Sequence, residues 1–204
     1  MLSPMRGITH VWVEAMELAQ LVKLIADVLK DFDSERPVHK TFRPGIGPFG
    51  EPQIVKEVGR RLLNKGIPAR TKRTPDLAIR EEWAMEFKIV RPFGDNGREA
   101  ENWSVNLLHP YAGNVSLIGD AIKLSELNIY SHKCLFVVGF EHDPAKISLD
   151  PLIHSFELIA RQIRNIVLSE RIEEKRDHLV HPEHQVLRCV GWKLEPKQLF
   201  HTKA

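Results

Sequence analysis

Asp76, Glu86 and Lys88 are the residues of this chain whose types and spacing are hardest to explain as ordinary surface. They fall in the stretch from Thr74 to Val90, TPDLAIREEWAMEFKIV. A short apolar run, Leu77-Ala78-Ile79, is followed by the polar residues Arg80 to Glu82 and a second run from Ala84 to Val90, which is a hairpin pattern. Side chains alternate along a strand, so Met85, Phe87 and Ile89 take one face and Glu86, Lys88 and Val90 the other. A carboxylate and an ammonium on one face, beside an Asp from the neighbouring strand, are costly to desolvate unless they have a use. Holding a divalent cation and a water is the simplest use. Mg²⁺ takes oxygen ligands, needs only one or two carboxylates and keeps several waters. An exposed hairpin face, with Glu86 and Lys88 as solvated edge residues, is the plain alternative.

The elements that must position these groups come before and after the hairpin. A helix is expected from about Pro52 to Lys65, with Pro52 suited to its first turn and Gly66 to its end. Ile54, Val55, Val58 and Leu62 form its buried stripe. Glu51 shares that stripe and should look at the sheet, whereas Glu57 lies roughly 200° round from Val55 and should face solvent. Glu51 is equally explained as an acid favoured by the helix dipole. Upstream, Val11 to Phe32 shows helical spacing through Val13, Met16, Leu21, Ile25 and Val28, with Thr9 as a candidate cap. Residues 35 to 50, with Pro37, Pro44, Pro48 and three glycines, read as loop. Ile67 to Arg73 is a lead-in or short strand. Arg91 to Tyr111 reads as loop, then a helix capped by Asn114 or Ser116 and ending near Leu127. Lys133 to Phe140, KCLFVVGF, is expected as a strand buried on both faces. A helix opening at Asp150-Pro151 carries apolar positions through Ile163, Ile166 and Val167. Residues 169 to 185 are charged and His-rich, and Val186 to Leu194 reads as a closing strand. The fold class is therefore α/β or mixed α+β, one central mixed sheet flanked by helices.

The pattern Pro75-Asp76, nine intervening residues, then Glu86-Phe87-Lys88, preceded by a Glu51-bearing helix, resembles the PD-(D/E)xK nuclease superfamily. The resemblance spans about residues 50–140. It implies a restriction-endonuclease-like core within a single domain over 1–204, with the N-terminal helix (about 10–33) and the part from 150 to 204 as additions. It implies Mg²⁺, for which Mn²⁺ can substitute, held by Asp76, Glu86, the backbone carbonyl of Phe87, and Glu51 through a water or a second metal. It implies that Lys88 orients or activates the attacking water and offsets phosphate charge. The function implied is hydrolysis of phosphodiesters in DNA, by an endonuclease of restriction or repair type. The alternatives are a nuclease-fold protein without activity, serving as a nucleic-acid-binding or assembly subunit, and an RNA-directed nuclease. Cutting both strands of a duplex implies a homodimer, for which the amphipathic N-terminal helix is a candidate interface or, equally, a cap on the sheet.

Composition is compatible with this and excludes little else. The chain has 204 residues, 43% hydrophobic, and a formal charge of +2, too small to argue for nucleic acid alone. The charge is uneven: from Ser34 to Arg73 ten basic residues face three acids. This excess, just before the hairpin, suits a polyanion at the same face, or simply a solvated surface. Cys134 and Cys189 are too few for a disulfide framework or a four-thiolate zinc site. No apolar run reaches the roughly 20 residues of a membrane span. Glu14 and Glu17 interrupt the N-terminal apolar segment, against a signal peptide, so a cytoplasmic protein is expected. Other candidates are weaker. His178, His181 and His184 recur every third residue and are read as a polar loop rather than a metal cluster, because Pro182 interrupts any helix. Arg91 and Lys123 are read as phosphate contacts or solvated cations. Trp103, Tyr111, Asn102 and His109 share the loop after the hairpin, where aromatics either stack on bases or anchor the loop.

Overall fold

The computed structural model describes residues 16–109, 116–163 and 166–196. Its centre is a mixed sheet of seven strands in the order β1 (Ala69–Thr71), β2 (Leu77–Ile79), β3 (Trp83–Val90), β4 (His132–Glu141), β7 (Val186–Pro196) and β5 (Ile166–Leu168). The remaining strand, β6 (Ile172–Arg176), also pairs with β7. Only β3 and β4 run parallel; the other pairs are antiparallel. The fold is thus mixed α+β, as the element pattern implies.

Helices cover both faces. On one side lie α1 (Leu18–Ser34) and α2 (Glu51–Asn64), whose apolar stripes meet Met85, Phe87 and Ile89 of β3 and Phe136 and Val138 of β4. On the other lie α4 (Leu117–Glu126) and α5 (Asp150–Gln162), packed over Ala84, Val90, Leu135, Val137 and Trp192. β3 and β4 are buried on both faces because each face has a helical layer over it. The alternation read from the hairpin is therefore correct: Met85, Phe87 and Ile89 face α1 and α2, and Glu86, Lys88 and Val90 face the other layer. Among the described residues no helix is long and apolar enough to cross a membrane.

Local chemistry explains most boundaries. α1 begins with a reciprocal cap between Glu17 and Gln20. The expected Thr9 cap, and Val11 and Val13, lie outside the described residues. α2 carries Pro52 in its first turn and stops where Gly66 adopts φ +77°, a conformation that costs glycine little. Ser116 caps α4 by accepting from Gly119 N, while Asn114 lies outside the described residues. Arg80 and Glu81 both have positive φ, and Glu82 N donates to Ile79 O. This two-residue turn matches the twist of β2 and β3 at the expense of strain at two non-glycine residues.

Three sequence expectations need correction. The stretch from Arg91 to Tyr111 is not all loop, since it contains the short helix α3 (Val105–Leu108). The helix from Asp150 ends at Gln162, and Ile166 and Val167 belong to the edge strand β5; their branched side chains suit a pleated edge better than a helix end. Residues 169–185, where the sequence suggests no regular element, contain β6. β7, from the C-terminal part, is an interior strand of the sheet, paired with β4 from Lys133↔Leu194 to Glu141↔Val186. α1 packs on β6 and β7, so its apolar stripe caps the sheet.

Candidate active site

β2 is short. It pairs with β3 only from Leu77↔Met85 to Ile79↔Trp83, so from Glu86 onward β3 has a strand neighbour on the β4 side alone. Side chains complete the open edge. Asp76, just before β2, accepts from Phe87 N at 2.8 Å; Lys88 Nζ donates to Phe87 O at 2.9 Å; and Asn106 Nδ2 donates to Ile89 O at 3.1 Å. The gap in the sheet lets groups from both helical layers meet at one point.

Lys88 is at the centre of that point. It projects on the α4 side, and its Nζ lies 2.8 Å from Asp120 Oδ2 on α4 and 3.3 Å from Glu51 Oε1 at the first turn of α2. Glu86, on the same face of β3, is 5% exposed and Lys88 is 6% exposed, so neither is a solvated edge residue. The helix-phase argument holds for Glu51, which reaches Lys88, but Glu57 does not face open solvent: its side chain is 17% exposed and bonds Arg60 and Arg61 on the same helix. The structure thus brings together Glu51, Asp76, Glu86 and Lys88, and adds one group the sequence reading missed. Asp120 is 4% exposed and pairs with both Lys88 and Lys123, the latter at 3.0 Å. Its signal was its place within the inward stripe of Leu117, Ala121 and Leu124, where an acid is out of character.

The electrostatics follow from four carboxylates around one buried ammonium. Burial, reinforced by Asp76 and Asp120, pushes the Glu86 carboxyl up to about 9, so it holds a proton at neutral pH. Burial also raises Glu51, against the pull of Lys88. For Lys88 burial works the other way, but Glu51, Asp120 and Asp76 outweigh it, and its pKa is raised. An oxygen-rich, anionic cluster short of positive charge fits a hard divalent cation. As the side chains stand, no three His, Cys, Asp or Glu among the described residues form a finished metal-binding group. Phe87 O, expected as a ligand, accepts from Lys88 but has a second lone pair.

The other sequence candidates have structural tasks. Arg91 donates to Gly47 O and so ties the loop 35–50 to the end of β3; it is half-buried, not a solvated cation. Asp33, fully buried, accepts from Ile46 N at 3.0 Å and Val180 N at 2.7 Å, holding the same loop against the segment before β7. His181 and His184 are buried, with rings stacked 4.6 Å apart, and so do not belong to a solvated polar loop. His184 Nε2 meets Phe93 O at 2.9 Å, and Gly47 sits so close that a Cβ there would lie 2.1 Å from His184 Nδ1. His178 is exposed, and its carbonyl accepts from Lys30. Part of the basic excess is spent within the fold: Arg61 bonds Glu35 and Glu57, and Lys72 donates to Tyr130. Trp103 is half-buried against the α4–α5 core, Asn102 is exposed, and Tyr111 lies outside the described residues. His109 O accepts from Ser116 Oγ.

Compared with family models, curated proteins and solved structures, the chain matches none of them. The resemblance to PD-(D/E)xK nucleases therefore rests on the sequence pattern alone.

Proposed function

We propose that the chain is a Mg²⁺-dependent phosphodiesterase acting on DNA, an endonuclease of restriction or repair type. The observation that supports this most is the charge imbalance at Lys88: Glu51, Asp76, Glu86 and Asp120 gathered around a single buried ammonium. As a purely structural device the cluster is costly, because an apolar set of similar volume would be at least as stable.

Asp76 and Glu86 would hold the cation, with the Phe87 carbonyl beside them and Glu51 acting through a water or a second cation. Bound there, it would polarise a phosphoryl oxygen and lower the pKa of a bound water. The chain's own groups do the remaining work. Lys88 keeps its proton, because its pKa is raised, so it donates hydrogen bonds and positive charge toward the phosphate instead of accepting a proton from water. Asp120 and Glu51 fix the ammonium from two sides. Glu86 must give up its proton before it can ligate, which couples cation binding to pH. Lys40, Arg43 and Arg73 are exposed, and Arg73 lies three residues before Asp76, as suits a polyanion backbone. Cutting both strands of a duplex would need two copies of the chain, joined by a surface other than the α1 stripe, which the sheet occupies.

Incubation with plasmid and with single-stranded oligonucleotides in Mg²⁺ or Mn²⁺ tests the reading, with EDTA, Asp76→Asn and Lys88→Ala as controls. Cleavage that disappears in all three controls is expected. Cleavage that survives in both variants would refute the site. Tight binding without cleavage in any metal would favour a nucleic-acid-binding or assembly subunit, and cleavage of RNA alone an RNA-directed enzyme.

A further inference from the structure

Between the loop 35–50 and the segment 91–106 lies a cleft of about 630 Å³, within the size range of small-ligand pockets. Glu51 is part of its lining, so the cleft opens onto the cluster around Lys88. Phe42 belongs to one wall and Trp103 and Phe93 to the other, and Trp103 is braced from behind by the α4–α5 core. Asn106, also in the lining, has its amide plane fixed by the bond to Ile89 O.

The charges decide what kind of group would enter. Among the described residues the only cation in the lining is Arg91, and its guanidinium is engaged with Gly47 O. Asp95 and Glu101 add carboxylates to that of Glu51. Such a cleft repels a phosphate but accepts an uncharged aromatic ring, above all one whose exocyclic amine can donate to a carboxylate. Aromatic side chains supply stacking surface for any base.

We propose that this cleft takes one base of the strand being cut, turned out of its stack and laid between Phe42 and Trp103, so that the phosphate beside it lies at the Lys88 cluster. This rests on the nuclease reading, and it assigns Trp103 and Phe42 a role in holding substrate. Turning a base out costs a few kcal/mol in a duplex and less in a single strand, so single strands should bind at least as well as duplexes.

The test reads binding instead of cleavage. Asp76→Asn protein, in Ca²⁺, is titrated by fluorescence anisotropy with a labelled 12-nucleotide deoxycytidine strand and with a strand of equal length built from abasic sites. Both carry the same phosphates, and only the first carries bases. The expected result is binding of the deoxycytidine strand at least tenfold tighter than the abasic one. Trp103→Ala or Phe42→Ala, added singly, should remove most of that difference and leave the abasic affinity unchanged. Phe42 lies in the outer loop, so its variant tests the proposal even where Trp103→Ala disturbs folding. Equal affinity for the two strands, or equal loss on both, would overturn the assignment. Cleavage by the native protein is scored separately. If it is absent while the base-dependent binding holds, the nuclease reading fails and the cleft assignment stands; if it is present without base-dependent binding, the reverse is true.

Discussion

Replacing Glu86 by Gln should stabilise the metal-free protein while abolishing its cation binding. In the folded state burial and the neighbouring carboxylates push Glu86 from its ordinary value of 4.5 up to about 9; in the unfolded chain nothing does. A raised carboxyl favours folding fully only below the unfolded value. That contribution is then lost as pH rises, until the folded carboxyl itself ionises near 9. At pH 7 the folded state has forgone ionisation over about 2.5 pH units, on the order of 3 kcal/mol at about 1.4 kcal/mol per unit. This figure requires only that the folded-state value lie above 7. Glu86→Gln removes the titration and keeps the shape, so the difference in unfolding free energy between variant and native protein should widen from near zero at pH 4.5 to about 3 kcal/mol at pH 7. Urea unfolding in EDTA at pH 4.5, 6, 7 and 8.5 measures this difference directly, and other titrating groups cancel. Mg²⁺ at a hundred times its dissociation constant should then stabilise the native protein by about 2.7 kcal/mol and leave the variant unmoved. Parallel pH profiles for the two proteins would refute the argument that Glu86 is held protonated by its neighbours.

Three further outcomes are expected. Asp120→Asn should lower the proposed DNA cleavage by roughly 10- to 100-fold, with the loss in kcat more than in KM, because it loosens the hold on Lys88 without removing a proposed ligand; single-turnover assays separate the two. Asp33→Ala leaves the buried Ile46 and Val180 amides without their acceptor and should cost about 2–5 kcal/mol of stability by chemical denaturation. His184, pushed down to about 4 by burial, stays neutral in the fold while an unfolded histidine gains a proton near 6.5. Stability should therefore fall between pH 6.5 and 4, by on the order of 3 kcal/mol from this group, and its ring resonance should show no titration from pH 5.5 to 7.5 by NMR.

The hairpin was legible because the period-2 alternation of Met85 to Val90 places charge and apolar groups on opposite faces, and tertiary packing had only to supply a layer for each. Glu51 was legible through helical phase, since the stripe of Ile54, Val55 and Val58 fixes which way the first turn looks. Asp120 was overlooked because it lies in another helix, and only a long-range contact, Lys88 across the sheet, shows why an acid belongs there. β6 was missed because Ile172 to Arg176 has almost no apolar alternation: as a half-exposed strand alongside β7 it is held by its ladder and by Arg176–Asp27, not by a buried face. The burial of His181 and His184 was equally invisible. It depends on two glycines from more than a hundred residues earlier, Gly47 against the His184 ring and Gly45 against the backbone of His181.

The open edge of β3 has a consequence for solution behaviour. An unpaired strand edge with apolar faces is a template for another chain to add on. Here Asp76, Lys88 and Asn106 occupy its backbone groups with side chains, two of them charged. Asp76 and Lys88, proposed for the chemistry, therefore also block this one edge to strand addition. Substitutions that neutralise them, Lys88→Ala above all, should raise the propensity to aggregate at high concentration even where the fold is intact, and light scattering belongs beside any activity assay of those variants.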